Sequence, residues 1–247
     1  DMDALGAAVA TKIFANMNDK EAFIVYDEKQ LLPDVERAIA KLNESKDGFA
    51  HIIRMDTARE LKKSNSLLIM VDHSKTSQTM DYEFYKSFDK VVVIDHHRRG
   101  EEFIRDPLLV YMEPYASSTA ELVTELLEYQ PKKLRINMIE ATALLAGIIV
   151  DTKSFSLRTG SRTFDAASYL RAKGADPVLV QKFLKETVDH YIKRAKLIQH
   201  TELYQNQVAI ASLPSDRSEY YDQITIAQTA DSLLSMSEVE ASFAVAR

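Results

Sequence analysis

Three short apolar runs in this chain each close on an aspartate: Leu67-Leu68-Ile69-Met70-Val71-Asp72, Val91-Val92-Val93-Ile94-Asp95-His96-His97 and Ala146-Gly147-Ile148-Ile149-Val150-Asp151. A brief, β-branched apolar run reads as a strand buried on both faces. In open α/β sheets, ligands bind beyond the carboxyl ends of parallel strands. Acidic groups and histidines repeated at strand ends therefore predict one shared site. The rest of the pattern alternates between helix and strand periods. Residues 5–16 are alanine-rich and helix-like, 21–26 read as a short strand, and 33–42 as a helix opened by Pro33. Lys46-Asp47-Gly48 punctuates the chain before a short strand at 51–53. Ser117 is placed to cap an amphipathic helix running through Leu127. A long apolar helix at 136–145 runs into the 147–151 stretch, and 163–173 is a helix ended by Gly174. Charge-rich helical sequence fills 177–200. Beyond it, 207–211, 224–227 and 240–246 read as strands, with a helix near 229–234. The expected class is α/β: a parallel sheet with flanking helices, then a smaller α/β domain.

Composition narrows the classes. The 247 residues suffice for one large domain or two ordinary ones. Lys and Arg number 31 against 37 Asp and Glu, a net charge of −6. That argues against a general nucleic-acid surface, so no duplex partner is expected. A phosphate ligand stays open if metals supply positive charge locally. The absence of cysteine excludes disulfides, thiolate zinc sites and cysteine nucleophiles, and fits a reducing compartment. No apolar run approaches the roughly 20 residues of a membrane helix, and no signal peptide is visible. The start at Asp1 and the stop at Arg247, just after an apolar stretch, read as a piece of something longer.

Candidate chemistry follows from the charged positions. Asp1 and Asp3 are two residues apart, and on a strand end or tight loop such residues can face one site. With Asp72, His96 and Asp151 they form a carboxylate-rich set with at least one imidazole. Oxygen ligands suit Mg²⁺ and Mn²⁺, while imidazole favours a transition metal. The mixture points to two Mn²⁺ ions, with Co²⁺, Fe²⁺ or Mg²⁺ as substitutes. Crowded carboxylates repel one another and have raised pKa values, which two cations would offset. Such a pair makes a hydrolytic clamp for an in-line displacement. Each piece alone is weak, since Asp-x-Asp and a strand-terminal Asp often cap helices. The ensemble is far more specific.

With these motifs assembled, the chain resembles the DHH phosphoesterase superfamily, which takes its name from the tripeptide seen here as Asp95-His96-His97. Asp1-Met2-Asp3-Ala4-Leu5-Gly6, Val71-Asp72-His73 and Gly147-Ile148-Ile149-Val150-Asp151-Thr152 are similar to its other motifs. Longer stretches, Val71-Asp72-His73-Ser74-Lys75-Thr76-Ser77-Gln78-Thr79 and Asp151-Thr152-Lys153-Ser154-Phe155 through Arg162-Thr163-Phe164, most resemble the catalytic part of the membrane-anchored cyclic-di-AMP phosphodiesterases of Gram-positive bacteria. The resemblance implies a DHH catalytic domain at 1–185, a helical linker at 186–206, and the start of a substrate-binding DHHA1 domain at 207–247. It implies that Asp1 binds one metal and Asp3 the other, that Asp72 bridges them, and that His96 and Asp151 complete the second metal's shell. His97 would face the substrate, and Asp95 would orient a neighbour. It further implies a homodimer, and a cytoplasmic domain of a cell-membrane protein. The family's metal-binding histidine upstream of its first motif and its glycine-rich DHHA1 motif have no counterpart within the 247 residues.

Other polar residues are candidates for the substrate. Ser117 and Ser118 precede a helix whose N-terminus could meet a phosphate, although plain capping accounts for them. Arg98 directly follows Asp-His-His and could clamp a phosphate oxygen, and Arg162 lies beyond Asp151. His73 reads as a supporting group, His51, His190 and His200 as surface or packing residues, and Tyr220 and Tyr221 as packing or base-stacking residues. The implied reaction is hydrolysis of cyclic-di-AMP to linear pApA by in-line attack of a metal-bridging hydroxide. Competing readings are a nanoRNA or oligonucleotide phosphodiesterase, a family II inorganic pyrophosphatase, and a non-catalytic cyclic-dinucleotide-binding module.

Overall fold

A computed structural model describes residues 1–44, 52–133, 135–205, 207–213 and 220–246. The Lys46-Asp47-Gly48 turn and His51 lie outside these residues. The chain divides into two compact units, Asp1–Leu184 and Lys185–Arg247.

The first unit is organised around two apolar helices. α1 (Met2–Met17) buries Met2, Leu5, Val9, Ala10 and Ile13. It packs along α6 (Met138–Asp151), whose residues from Glu140 to Ile148 are all buried. Close approach is built into the sequence. A Cβ on Gly6 would stand 3.0 Å from the Ala143 carbonyl oxygen, and one on Gly147 would stand 3.0 Å from Asp3 Cα. Here the strand expectation for 146–151 is corrected. These residues are the last turns of α6, which Asn137 opens with a capping box completed by Glu140. A helix buried on every side is apolar on every side, so its tail cannot be told from a buried strand by pattern.

The sheets of this unit are parallel. β1 (Ile24–Tyr26) pairs with β2 (Ile52–Arg54), and β3 (Leu68–Val71), β4 (Val91–Asp95) and β5 (Leu109–Met112) pair in that order. Every residue of β4 is buried. Val92 and Ile94 join the large core with α1 and α6, while Val91 and Val93 pack with Met70 and Ile104 on the opposite face. α2 (Pro33–Glu44), α3 (Met55–Leu61), α4 (Tyr82–Lys86), α5 (Thr119–Glu128), α7 (Ser161–Ala172) and α8 (Pro177–Phe183) complete the unit. α7 is followed by Gly174 at φ +98°.

In the second unit, α9 (Val188–Gln199) and β6 (Thr201–Tyr204) lie where the sequence suggested a linker, yet both are integral. Leu197 of α9 is fully buried with Ala209, Ala211, Tyr221 and Leu233. β6 pairs antiparallel with β7 (Val208–Ser212), which pairs parallel with β8 (Ala241–Val245). The strand expected at 224–227 is instead helical, within α10 (Gln223–Leu234). Asp222 accepts a hydrogen bond from Thr225 N and so starts that helix at Gln223, ahead of the stretch the apolar pattern suggested. Among the described residues, no helix is long and apolar enough to cross a membrane.

Candidate metal centre

Four elements deliver acidic or imidazole groups to one place. Asp3 lies in the first turn of α1, Asp72 just beyond β3, His96 just beyond β4, and Asp151 at the last residue of α6. Asp3 and Asp151 therefore come from helix ends, not from strand ends or a tight loop. Asp72 turns off the strand with φ +64°, while its N–H still donates to the Ile94 carbonyl at 2.9 Å.

His96 is the hub. It is nearly fully buried, and its Nδ1 lies 3.3 Å from the Ala116 carbonyl oxygen. Nε2 faces Asp151 Oδ2 at 3.1 Å, Asp72 Oδ1 at 3.6 Å and Asp3 Oδ2 at 3.8 Å. It has no hydrogen-bond partner with acceptable alignment. With Nδ1–H donated to the carbonyl, the lone pair of a neutral ring points at three carboxylates. That arrangement needs a cation, a proton or a metal, between the ring and the oxygens. Among the described residues, two sets of ligand atoms have the required compactness: Asp3 with His96 and Asp151, and Asp72 with His96 and His97, the atoms of each lying within 4.8 Å of one another. The donor set fits two hard-to-borderline divalent cations.

The carboxylates are held by other groups before any metal arrives. The Thr119 amide donates to Asp3 Oδ2 at 2.7 Å and the Ala120 amide to Asp3 Oδ1 at 2.8 Å. The Thr119 hydroxyl donates to Asp72 Oδ1 at 3.0 Å. The amides at the start of α5 thus serve Asp3, which changes the reading of Ser117-Ser118-Thr119 as a phosphate site. Ser118, not Ser117, caps α5: its Oγ accepts from Glu121 N at 3.0 Å. Ser117 Oγ donates to Glu121 Oε2 at 2.5 Å. Both serines are buried. Thr119 and Gly147 support the site without being ligands, and the position of Thr119 directly after the α5 cap is its one signal in the sequence.

Burial, and then the charge of neighbouring carboxylates, drives the electrostatics. Burial and the Asp151 charge push Asp3 above the usual range against two amide bonds that pull it down. Burial and the Asp3 charge push Asp72 up to about 9. Burial would lower His96, yet Asp151 and Asp3 outweigh it and raise it. The cluster is short of positive charge.

Asp95 behaves differently. Burial would raise it, but bonds from the His97 side chain and amide, and from Ser74, bring it down to about 2. Its Oδ1 accepts from His97 N at 3.0 Å and lies 2.8 Å from His97 Nδ1. This pins the half-exposed His97 ring. Asp1 belongs to neither ligand set: it is exposed and caps α1, accepting from Ala4 N at 2.9 Å. Arg98 is exposed. Arg162 is committed to Glu125 through bonds of 2.8 and 2.7 Å, which raise its pKa further. His73 Nδ1 lies 2.9 Å from the Val71 carbonyl oxygen, a local structural bond. In the second unit, Tyr221 is a core residue and Tyr220 is exposed.

Two parallel strands thus bring Asp72 and Asp95-His96-His97 to the same place as the helix-end carboxylates Asp3 and Asp151, a donor set that fits divalent metal. A profile described as the DHH family, N-terminal domain, matches residues 1–148, and the chain belongs to that family. It is 67% identical over 247 residues to "Cyclic-di-AMP phosphodiesterase GdpP" of Bacillus subtilis (strain 168), covering all of this chain and 38% of that protein. It is 48% identical over 245 residues to "Cyclic-di-AMP phosphodiesterase PdeA" of Listeria monocytogenes serotype 1/2a, covering 99% of this chain and 37% of that protein. The chain thus spans less than two fifths of these relatives. A solved exopolyphosphatase-related protein from Bacteroides fragilis shares the fold, with TM-score 0.74 at 19% identity, over 96% of this chain and 70% of that one.

Proposed function

We propose that this chain is the catalytic part of a metal-dependent phosphodiesterase that hydrolyses cyclic-di-AMP to linear pApA. The observation that carries the chemistry is the orphaned His96 Nε2, buried against three carboxylates. The substrate comes from the identity to the two cyclic-di-AMP phosphodiesterases over the full length of this chain. Asp3, Asp72, His96 and Asp151 would hold two divalent cations, Mn²⁺ first, and Asp1 would join them if its side chain left the α1 cap. Bound there, the cations supply a nucleophile at neutral pH and positive charge for the phosphoryl oxygens. The protein's own part is positioning. Asp95 fixes the His97 ring through Nδ1, and in the imidazolium form of the ring Nε2–H can donate to a non-bridging phosphate oxygen as charge builds there. Thr119 and Ala120 keep Asp3 from swinging. Arg98 is available to a second phosphate, whereas Arg162 would have to leave Glu125. A homodimer, within a larger membrane-anchored protein on its cytoplasmic side, is part of the same reading.

The test is product analysis with Mn²⁺ on cyclic-di-AMP, pApA, a short RNA and pyrophosphate. The expected result is conversion of cyclic-di-AMP to pApA as the fastest reaction. Faster cleavage of pApA, RNA or pyrophosphate would overturn it, and tight binding of cyclic-di-AMP without turnover would mark a sensor.

A further inference from the structure

The chain leaves Asp151 in a conformation that most residues avoid. Lys153, Ser154 and Phe155 follow one another with φ of +45°, +58° and +64°, and none is glycine. A left-handed run crowds each Cβ against the following carbonyl, and a bulky residue there is a rarity. The run is held against the end of α6. Ser154 N donates to the Ile149 carbonyl at 2.8 Å, Phe155 N to Thr152 Oγ1 at 3.0 Å, and Leu157 N to the Thr152 carbonyl at 2.9 Å. Thr152, the anchor, is fully buried. Strain maintained by so many bonds is characteristic of positions where a side chain is aimed at a task.

What this turn aims is the Phe155 ring. It lies on Phe164 of α7 with centroids 5.4 Å apart and planes 20° from parallel, a stacked pair. The Phe155 ring is partly buried against the main core, which makes it a firm base. Phe164 is 56% exposed and Leu157 is 49% exposed. An open, ring-faced apolar surface therefore follows Asp151 in the chain, beginning four residues on at Phe155. The metal centre accounts for the anionic part of a nucleotide. Nothing in the centre accounts for the flat apolar part, and the stack has the chemistry to do so.

We propose that the Phe155–Phe164 stack is a platform for a nucleobase of the substrate, the open side of Phe164 taking the base as a third layer. The proposal rests on the reading of the centre as a nucleotide-diester site, and it makes Phe164 a specificity-determining residue. Stacking tolerates any base because each has a π-face. The platform thus separates nucleotides from base-free phosphates, and does not separate adenine from guanine.

The test compares AMP with ribose 5-phosphate, the same phosphate and sugar without the base, by calorimetry on the Mn²⁺-loaded protein. Phe164→Ala weakens AMP by about 5- to 150-fold, the range seen when a stacking aromatic is removed. It leaves ribose 5-phosphate unchanged, and Phe164→Tyr restores AMP binding. Thermal melting of both variants checks that α7 is intact. Equal weakening of both ligands, no weakening of either, or equal affinity of the unaltered protein for the two overturns the platform. Failure to hydrolyse cyclic-di-AMP, with the AMP contrast intact, overturns the proposed substrate and leaves the platform standing.

Discussion

Gly147 faces Asp3 so closely that a methyl group on it would sit 3.0 Å from Asp3 Cα and 3.1 Å from Oδ1. The site and the helix packing are thus one construction: α6 can carry Asp151 to the cleft only because it lacks a side chain where it passes α1. Gly147→Ala is expected to destabilise the protein by roughly 1–3 kcal/mol, as overpacking of a close-packed contact does. It should weaken Mn²⁺ binding as well. Gly100→Ala is the control, since a Cβ there meets only the Lys75 side chain at 3.6 Å and Glu102 O at 4.0 Å. Urea unfolding and metal titration of both variants decide this. Equal stability would mean that the α1–α6 contact relaxes freely.

Thr119 joins Asp3 and Asp72 through its amide and its hydroxyl. Thr119→Val keeps the shape and the amide but removes the hydroxyl, freeing Asp72. Loss of such a supporting bond typically lowers metal affinity by about 10- to 100-fold. Thr119→Ser should stay near the parent. Calorimetric Mn²⁺ titration reads the difference, and a Val variant with unchanged affinity would remove Thr119 from the site's support.

The metal-free protein should lose stability as pH rises. Asp72 releases its proton near pH 9 when folded but near 3.9 when unfolded. Between those values the folded state binds more protons than the unfolded state. The stabilising contribution is therefore complete below about pH 4 and is lost progressively toward pH 9, by up to ~1.4 kcal/mol per pH unit for one proton. Asp3 shifts in the same direction. Mn²⁺ should reverse the trend, because binding requires the deprotonated ligands. Urea midpoints from pH 5 to 8 in EDTA, beside the Asp72→Asn variant, test this. A slope undiminished in Asp72→Asn would place its origin in the other raised groups, Asp3 and His96.

Asp95, held near 2 by His97 and Ser74, is charged at every working pH. Asp95→Asn keeps the size and removes the charge that orients His97. The proposed turnover of cyclic-di-AMP should fall by roughly 10- to 100-fold, the scale of losing a partner that orients a working side chain. Mn²⁺ affinity should fall less than turnover, because Asp95 is in neither ligand set and reaches them only through His97. A large loss of metal affinity would instead make Asp95 part of the metal shell.

The parts of this protein legible in its sequence are those where local pattern and tertiary role coincide. β4 announces itself because a strand buried on both faces is continuously apolar, and β3, half-buried apart from Met70, still packs apolar residues on both sides; the polar ends of both stand out against those runs. Asp72 and His96 were visible for that reason. The helical turn that carries Asp151 looked the same by pattern, and the 224–227 strand reading failed because a short apolar run lacks the length to show its period. Asp1 and Asp3 illustrate the limit at single-residue scale. Both are acidic and two residues apart, yet on a helix one caps α1 while the other turns into the cleft.

By itself the sequence determined which residue types gather near a shared site, because apolar runs fix what must be buried and charged residues at their ends must then meet something. Only the tertiary structure decided which of those charges share a cation. That depends on helix ends and close approaches set by residues far apart in the chain: α5 amides reaching Asp3, Gly147 admitting α6, and Ala116 aiming His96. Such contacts leave no period in the sequence, since each is a single bond between distant segments, not a repeated pattern within one.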